Sequence, residues 1–386
     1  MSTADSIQLK EELDLFRENV KRFVAAEIVP DYPKWDDAQI FPREVWEKMG
    51  EHGLLAVDIP EEYGGIGADF HFSMIIQEEL QRANCAAIST STSVHSDIVC
   101  HYVLNRGTEA QKQHYLPRLI TGSCVGAIAM TEPGTGSDLQ AIRATAREDG
   151  DSFVINGSKT FITNGQHCDV CIVAAKTDVN VAGSKGITLF LVDADIDGFE
   201  KGRNLEKIGL HASDTSELFF QDVRVPKESV LGQIGGGFAV LMGELQRERL
   251  TLANGALAAA EGIFEQTIEY VKERKAFGSA LSEFQNTKFK VAEMATEIKI
   301  HRAFVDECIE KLANGTLDVE TVSMAKLSVS EMLGRVTDTC LQLHGGYGYM
   351  KEYGVSRAFV DARVQRIYGG TSEIMKELIS RSVLGR

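Results

Sequence analysis

The segment Glu244-Leu-Gln-Arg-Glu-Arg-Leu250 carries two carboxylates, Glu244 and Glu248, four residues apart. On a helix that spacing puts them on one face, one turn from each other. On a solvated face they are ordinary surface charges. At the core of a helical bundle, loss of water would raise a carboxyl pKa and make a general base. A second set of signals is glycine-rich. Ala129-Met-Thr-Glu-Pro-Gly-Thr-Gly-Ser-Asp138 follows the apolar residues 125–130, so a strand runs into a turn whose N–H groups and hydroxyls are free to meet a polar ligand. The turn is neither a Walker loop nor a Rossmann fingerprint, and a plain structural turn would read the same. Asn156-Gly-Ser-Lys-Thr-Phe-Ile-Thr-Asn-Gly165 places Phe161 and Thr163 two apart on one strand, hence on one face. A ring and a hydroxyl there suit a flat heteroaromatic ligand, although an ordinary hairpin has the same pattern.

Other motifs carry less. Cys168 and Cys171 form a C-x-x-C without the second pair a zinc site needs, so no metal site is assigned. Gly232-Gln-Ile-Gly-Gly-Gly-Phe238 has the wrong spacing for a dinucleotide fingerprint and reads as a turn entering a long helix. In Gln342-Leu-His-Gly-Gly-Tyr-Gly-Tyr349 and Ile367-Tyr-Gly-Gly-Thr-Ser-Glu-Ile374 the glycines follow helical runs and read first as C-caps. Thr371 opens the last helix as an N-cap, and a helix N-terminus also suits the polar edge of a cofactor.

These groups need elements to hold them, and the periodicity divides the chain into three. In LKEELDLFRENVKRFVAAEIV, Leu9, Leu13, Phe16, Val20 and Phe23 recur at spacings of three and four, which predicts an amphipathic helix. HFSMIIQEELQRA and GTEAQKQHYLPRLITG read the same way. From about residue 122, SFVINGSKTFITNG, DVCIVAAKT, GITLFLVDA and SELFFQDVRVP predict a compact antiparallel β unit. No helical pattern alternates with these strands, which disfavours a Rossmann-type sheet. From residue 233, three long helical segments with short Gly-containing loops predict a bundle, and Ala253, Gly255, Ala256, Ala259 and Ala260 would let its helices approach closely. The expected domains are 1–121, 122–231 and 232–386.

The chain has 386 residues, with 40 Lys and Arg against 56 Asp and Glu, a net charge of −16. That balance disfavours a nucleic-acid footprint or attraction to an anionic membrane. No uncharged apolar run is long enough to span a bilayer. The acidic start lacks the pattern of a secretory signal, and seven scattered cysteines read as reduced thiols, so the expected location is cytoplasmic.

Taken together and in order, TEPGTGSD, NGSKTFITNG, KIGLHASDT with ELFFQDVRVP, ERKAFG followed by FQ, QLHGGYGYM and RIYGGTSEIMKE resemble the acyl-CoA dehydrogenase family over nearly the whole chain. The resemblance implies an α+β fold with an N-terminal all-helical domain, a central antiparallel β domain and a C-terminal four-helix bundle. It implies non-covalent FAD and a homotetramer built as a dimer of dimers. The reaction would be α,β-dehydrogenation of an acyl-CoA thioester to the trans-2-enoyl-CoA. Electrons would pass to electron-transferring flavoprotein in fatty-acid β-oxidation.

Matching the motifs residue by residue implies FAD contacts from Ile128, Met130, Thr131, Gly136, Ser137, Phe161 and Thr163, with Ser137 also near the CoA arm. Arg274, Phe277 and Gln285 match contacts delivered across a dimer interface, with Arg274 on the pyrophosphate, where a fixed guanidinium suits a phosphate fork. Gln342, Gly345 and Gly346 match a further contact from a neighbouring subunit, and Thr371 and Glu373 the last ones. Many members read Tyr-Glu-Gly-Thr, with that Glu as catalytic base; here the sequence is Tyr368-Gly369-Gly370-Thr371. The long-chain and isovaleryl-type subgroups carry the base on the long helix immediately before an Arg, which here means Glu248 followed by Arg249. Gly369 would still offer a backbone N–H to the thioester carbonyl, with Arg249 and Tyr368 beside the substrate. His211, where many members have Arg, receives no role and reads as a surface loop residue.

If Ala86–Ser93 lines the pocket floor, its small side chains would leave room for a long or branched tail; a medium- or long-chain substrate is expected. The alternatives are a branched-chain or isoprenoid acyl-CoA dehydrogenase and, from another class, a catalytically silent flavoprotein serving as an assembly partner.

Overall fold

Each of the three periodicity zones becomes one architectural layer in the computed structural model, which describes residues 3–385, with side chains from Gln8 onward. The first zone folds as α1 (Thr3–Phe23), α2 (Tyr32–Ala38), α3 (Glu44–Glu51), α4 (Phe70–Arg82), α5 (Ala86–Ser93), α6 (Cys100–Arg106) and α7 (Glu109–Ile120). The apolar stripe of α1 is used as its spacing predicts: Val20 and Phe23 are buried, and Leu13 and Phe16 pack against the same core. Helix starts follow local capping chemistry. The Asp69 side chain accepts from the His71 N–H at 3.0 Å to begin α4, and Thr108 with Gln111 forms a capping box at α7. Two single-turn π segments, Val24–Ile28 and Val94–Val99, interrupt the helices, and nothing in the periodicity announced them.

The middle zone is an eight-stranded sheet of β1 (Gly126–Ala129), β2 (Thr145–Asp149), β3 (Ser152–Thr163), β4 (Val170–Lys176), β5 (Ile187–Asp193), β6 (Phe199–Asn204), β7 (Thr215–Pro226) and β8 (Val230–Leu231). The main path runs β6-β7-β3-β2-β4-β5-β8, and most ladders are antiparallel. The exceptions refine the expected all-antiparallel unit. β1 pairs parallel with β4 from Gly126↔Val170 to Ala129↔Val173, and β2 meets β4 in parallel at Thr145↔Lys176. β1 is separated from β4 in sequence by β2 and β3, and such a connection permits a parallel ladder where a hairpin does not. A single helical turn, α8 (Gly183–Gly186), is the only α-helix among these strands in the described residues, consistent with the rejection of a Rossmann sheet.

The last zone contains α9 (Gly237–Glu273), the hairpin β9 (Lys275–Ala276) and β10 (Ser279–Ala280), α10 (Gln285–Ala313), α11 (Val319–His344), α12 (Gly354–Ala362) and α13 (Ser372–Leu384). The small residues of α9 are used for close approach. Ala253, Ala256 and Ala260 lie in the bundle core, and any side chain at Gly262 would overlap the backbone of Arg82 on α4. An ion network ties the two helical layers together. The Arg302 guanidinium reaches Glu261 at 2.7 Å and Glu78 of α4 at 2.9 Å. α9 is the spine against which α4 of the first helical layer, β5 of the sheet and the rest of the bundle are packed.

Candidate active site

Glu248 lies on the inner face of α9 and is 6% exposed. Among the described residues its one hydrogen-bond donor is the phenol of Tyr102 on α6, which donates to Oε1 at 3.0 Å. Burial pushes the Glu248 carboxyl up to about 7; the Tyr102 bond and the neighbouring Arg249 pull it down, and Glu244 pushes it further up. Glu244, one turn earlier and also buried, is engaged differently. It accepts from Asn105 Nδ2 at 3.0 Å and from Nε and Nη2 of Arg106 at 3.2 and 3.1 Å. One carboxylate is thus consumed by a guanidinium, while the other is buried with a single neutral donor.

The residue after the candidate base turns the other way. Arg249 is buried, and its Nε donates to the carbonyl of Gly369 at 3.3 Å. Gly369 and Gly370 have φ values of +64° and +100°, where glycine alone is comfortable, and they turn the chain into α13. A Cβ at Gly369 would overlap Leu252 Cδ1, so a side chain here requires the tip of Leu252 to move and a strained left-handed backbone to be kept. The next carbonyl, of Gly370, accepts from Lys326 Nζ of α11 at 2.5 Å. Tyr368 packs against the core of the first helical layer, and burial holds its phenol well above the usual value.

A second cluster lies at the end of β1. Ile128 and Met130 are half-buried there. The buried Lys159 donates to the Met130 carbonyl at 3.0 Å and to Glu132 Oε1 at 2.8 Å, and Thr160 N–H reaches the Thr131 carbonyl at 2.9 Å. Glu132 also accepts from the N–H groups of Arg143 and Ala144 at 2.6 and 2.9 Å, pinning both ends of the glycine-rich turn. At Gly134 and Gly136 a Cβ would meet nothing within 4 Å, and Ser137 is exposed, so the turn faces open space. Phe161 is 67% exposed and sits at φ +60° beside a register shift between Lys159 and Ile162. A bulky residue in the left-handed region is a strained choice that marks functional sites. The bulge breaks simple alternation, yet Phe161 and Thr163 still open outward while Ile162 is buried between them. An exposed ring, a hydroxyl and an open turn with free N–H groups fit a flat heteroaromatic cofactor with a polar edge.

The third cluster lies at the far end of α9 from Glu248. Arg274 caps α9, Phe277 tops the β9–β10 hairpin, Gln285 begins α10, and Gln342, Gly345 and Gly346 close α11. Arg274 stacks 5.2 Å from the Tyr347 ring. Phe277 is 98% exposed at φ +51°, paired with Gly278 at +84° in the two-residue turn. From Glu248 to Arg274 the helix advances 274 − 248 = 26 residues, ~39 Å at 1.5 Å each. Thr371 caps α13 by accepting from Ile374 N–H at 3.3 Å, and backbone and Thr371 hydrogen bonds hold the Glu373 carboxyl below its usual range. The residues named from sequence therefore fall into separate groups in one chain. His211 is half-buried, with Nε2 2.8 Å from the Lys207 carbonyl. Sequence reasoning missed Tyr102 and Lys326, which sit in no quoted motif, and Lys159, which sits inside NGSKTFITNG without being singled out; their partners lie 146, 44 and 29 residues away.

Sequence profiles of the acyl-CoA dehydrogenase N-terminal, middle and C-terminal domains match residues 10–123, 127–223 and 235–384. The chain is 50% identical to the long-chain specific acyl-CoA dehydrogenase of Sus scrofa, over 97% of this chain and 86% of that one. The acyl-CoA dehydrogenase structure from Geobacillus kaustophilus superposes with a TM-score of 0.95 at 49% identity, covering 97% and 98% of the two chains. A glutaryl-CoA dehydrogenase from Mycobacterium smegmatis, solved with FADH2, gives 0.92 at 30% identity, covering 97% and 95%. The chain belongs to the acyl-CoA dehydrogenase family and is an FAD-dependent oxidoreductase acting on acyl-CoA thioesters.

Proposed function

We propose that this enzyme converts medium- or long-chain acyl-CoA to trans-2-enoyl-CoA in β-oxidation, with Glu248 as the base that takes the α proton. The observation that carries this is the buried Glu248 carboxyl, raised to about 7 and held by one phenol, beside an Arg249 that grips the Gly369 loop. The α C–H of a thioester is weakly acidic, so the base must act together with hydrogen bonds to the carbonyl oxygen. Gly369 N–H would be the donor, with Arg249 and Tyr368 beside the substrate. Tyr102 occupies Oε1 of Glu248 and leaves the other carboxylate oxygen for the proton.

FAD, when bound, supplies the acceptor for the β hydrogen as hydride. Ile128, Met130, Thr131, Gly136, Ser137, Phe161 and Thr163 would hold its ring side, with Ser137 also toward the CoA arm, and Thr371 and Glu373 its last polar edge. Arg274, Phe277, Gln285, Gln342, Gly345 and Gly346 would complete another subunit's site. The ~39 Å along α9 between Glu248 and Arg274 supports that assignment, because one chain cannot easily bring both ends to one cofactor. The reading therefore includes a homotetramer built from dimers, with electron-transferring flavoprotein as the electron acceptor. Residues 1–121, 122–231 and 232–386 are its domains, β1 and α9 beginning just inside the second and third. Seven buried free cysteines support a reducing, cytoplasmic setting, and no helix among the described residues is long and apolar enough to cross a membrane.

Chain length rests on α5, which is buried throughout and has no side chain larger than Ile88. A series of saturated acyl-CoAs from four to eighteen carbons, with anaerobic bleaching of the yellow protein as readout, tests this. The expected kcat/KM maximum is at eight carbons or more. A maximum at four or five carbons overturns the chain-length reading, and a protein that binds FAD yet bleaches with no acyl-CoA overturns the enzymatic one.

A further inference from the structure

Lys326 is 1% exposed, inside the bundle, and no carboxylate among the described residues lies within ion-pair distance of it. Its ammonium instead donates to the Gly370 carbonyl at 2.5 Å, while Arg249 donates to the adjacent Gly369 carbonyl at 3.3 Å. Two cations from two different helices therefore grip consecutive carbonyls of one short loop. A neutral donor could tether such a loop with less desolvation cost than a buried ammonium. The two cations also repel each other, and Arg249 helps push Lys326 down. A pair of positive charges in this place becomes favourable when negative charge develops nearby.

We propose that Lys326 is a positioning residue for the reaction: with Arg249 it sets the Gly369–Gly370 loop so that Gly369 N–H meets the thioester oxygen, and its charge stabilises the enolate. The inference rests on the functional reading above. In the step, the α C–H bond breaks, its proton passes to Glu248, and the electron pair delocalises onto the thioester oxygen. Lys326 touches neither proton nor substrate; it acts through the loop and through its field. The charged groups around it are Arg249 of α9, Glu331 of its own helix and Glu373 of α13, with Arg366 paired to Glu331 at 3.4 Å. Burial first, then Arg249, lower the ammonium to about 8. The charge is present below that pH and is lost as pH rises through it, so enolate stabilisation weakens on the alkaline side.

The test isolates deprotonation by using a 3-thia-dodecanoyl-CoA, whose sulfur occupies the β position and leaves no β hydride to transfer. Exchange of its α hydrogens in D2O is followed by NMR on the FAD-loaded enzyme, alongside the pH profile of kcat with a normal acyl-CoA. Lys326→Met is expected to slow exchange at least tenfold with FAD content unchanged. Lys326→Arg, which stays charged, is expected to keep exchange at neutral pH and remove the fall above about pH 8. An unchanged exchange rate in Lys326→Met overturns the proposal. So does an alkaline limb that Lys326→Arg leaves in place, a result that decides the matter even where Lys326→Met does not fold. Glu248→Gln separates the two readings. If it abolishes exchange while Lys326→Met does not slow it, only this inference fails; if exchange persists in Glu248→Gln, the base assignment fails.

Discussion

Glu248 and Arg274 belong to one continuous helix, yet their surroundings are opposite. Glu248 is enclosed, with Tyr102 of α6 on its carboxylate, the Gly369 loop beyond Arg249, and Lys326 behind that loop. Around Arg274 the surface is open. Phe277 projects almost wholly into solvent, and Gln285, Gln342, Gly345 and Gly346 are all exposed. On the proposed reading, the proton-transfer machinery would be preorganised within a single fold, whereas part of the cofactor machinery would serve a neighbouring copy. Substitutions at the first end should therefore change chemistry and spare FAD, and those at the second should do the reverse.

The largest effect is expected for Glu248→Gln. Reduction by acyl-CoA should fall by ~10²–10⁴-fold, while FAD stays bound and its spectrum still shifts when substrate is added; stopped-flow absorbance measures both. Moving the carboxylate to Gly369 in that background should recover part of the rate, and more when Leu252→Ala is added, because the tip of Leu252 must otherwise move aside.

Arg274→Ala comes next and acts at the opposite end. Loss of a charge-assisted hydrogen bond, about 1.5–3 kcal/mol, corresponds to FAD binding weaker by roughly 10–100-fold. Gel filtration of the diluted variant should separate FAD from a protein whose helical circular dichroism is unchanged. Full retention of FAD would break the comparison.

A smaller effect is read from pH. Only the ionised Glu248 can accept a proton, so kcat/KM should rise as pH increases through about 7. The Tyr102 hydrogen bond favours the ionised form, and Tyr102→Phe should move that rise to higher pH. At neutral pH the variant should lose activity several-fold and regain much of it in alkaline buffer before the fall attributed to Lys326. A profile identical to that of the parent protein would remove Tyr102 from the mechanism.

Glu244→Gln should matter least. Glu244 is engaged by Arg106, a partly exposed partner, so its loss should cost about 1 kcal/mol or less. The reduction rate should stay within roughly threefold of the parent's, set by the spectator position of this carboxylate one turn from the base. If Glu244→Gln abolishes reduction and Glu248→Gln does not, the base is misplaced by one helical turn.

The amino-acid sequence by itself determined the layers and most of the exposed groups. Apolar spacing marked α1, α4 and α7, β-branched runs marked the sheet, and small residues marked the close faces of α9, since these are local periodicities. The helix caps at Thr371 and Gly345 were likewise legible, because capping is decided within a few residues. Which of two carboxylates on one helical face is left free was not decidable from spacing alone. That depended on Arg106 reaching Glu244 across 138 residues of chain and Tyr102 reaching Glu248 across 146. The parallel pairing of β1 with β4, the strained exposed ring of Phe161 and the burial of Lys326 against Gly370 were likewise settled only by tertiary packing. Burial changes what a residue type can do, and burial is a property of the assembled layers that no local pattern contains.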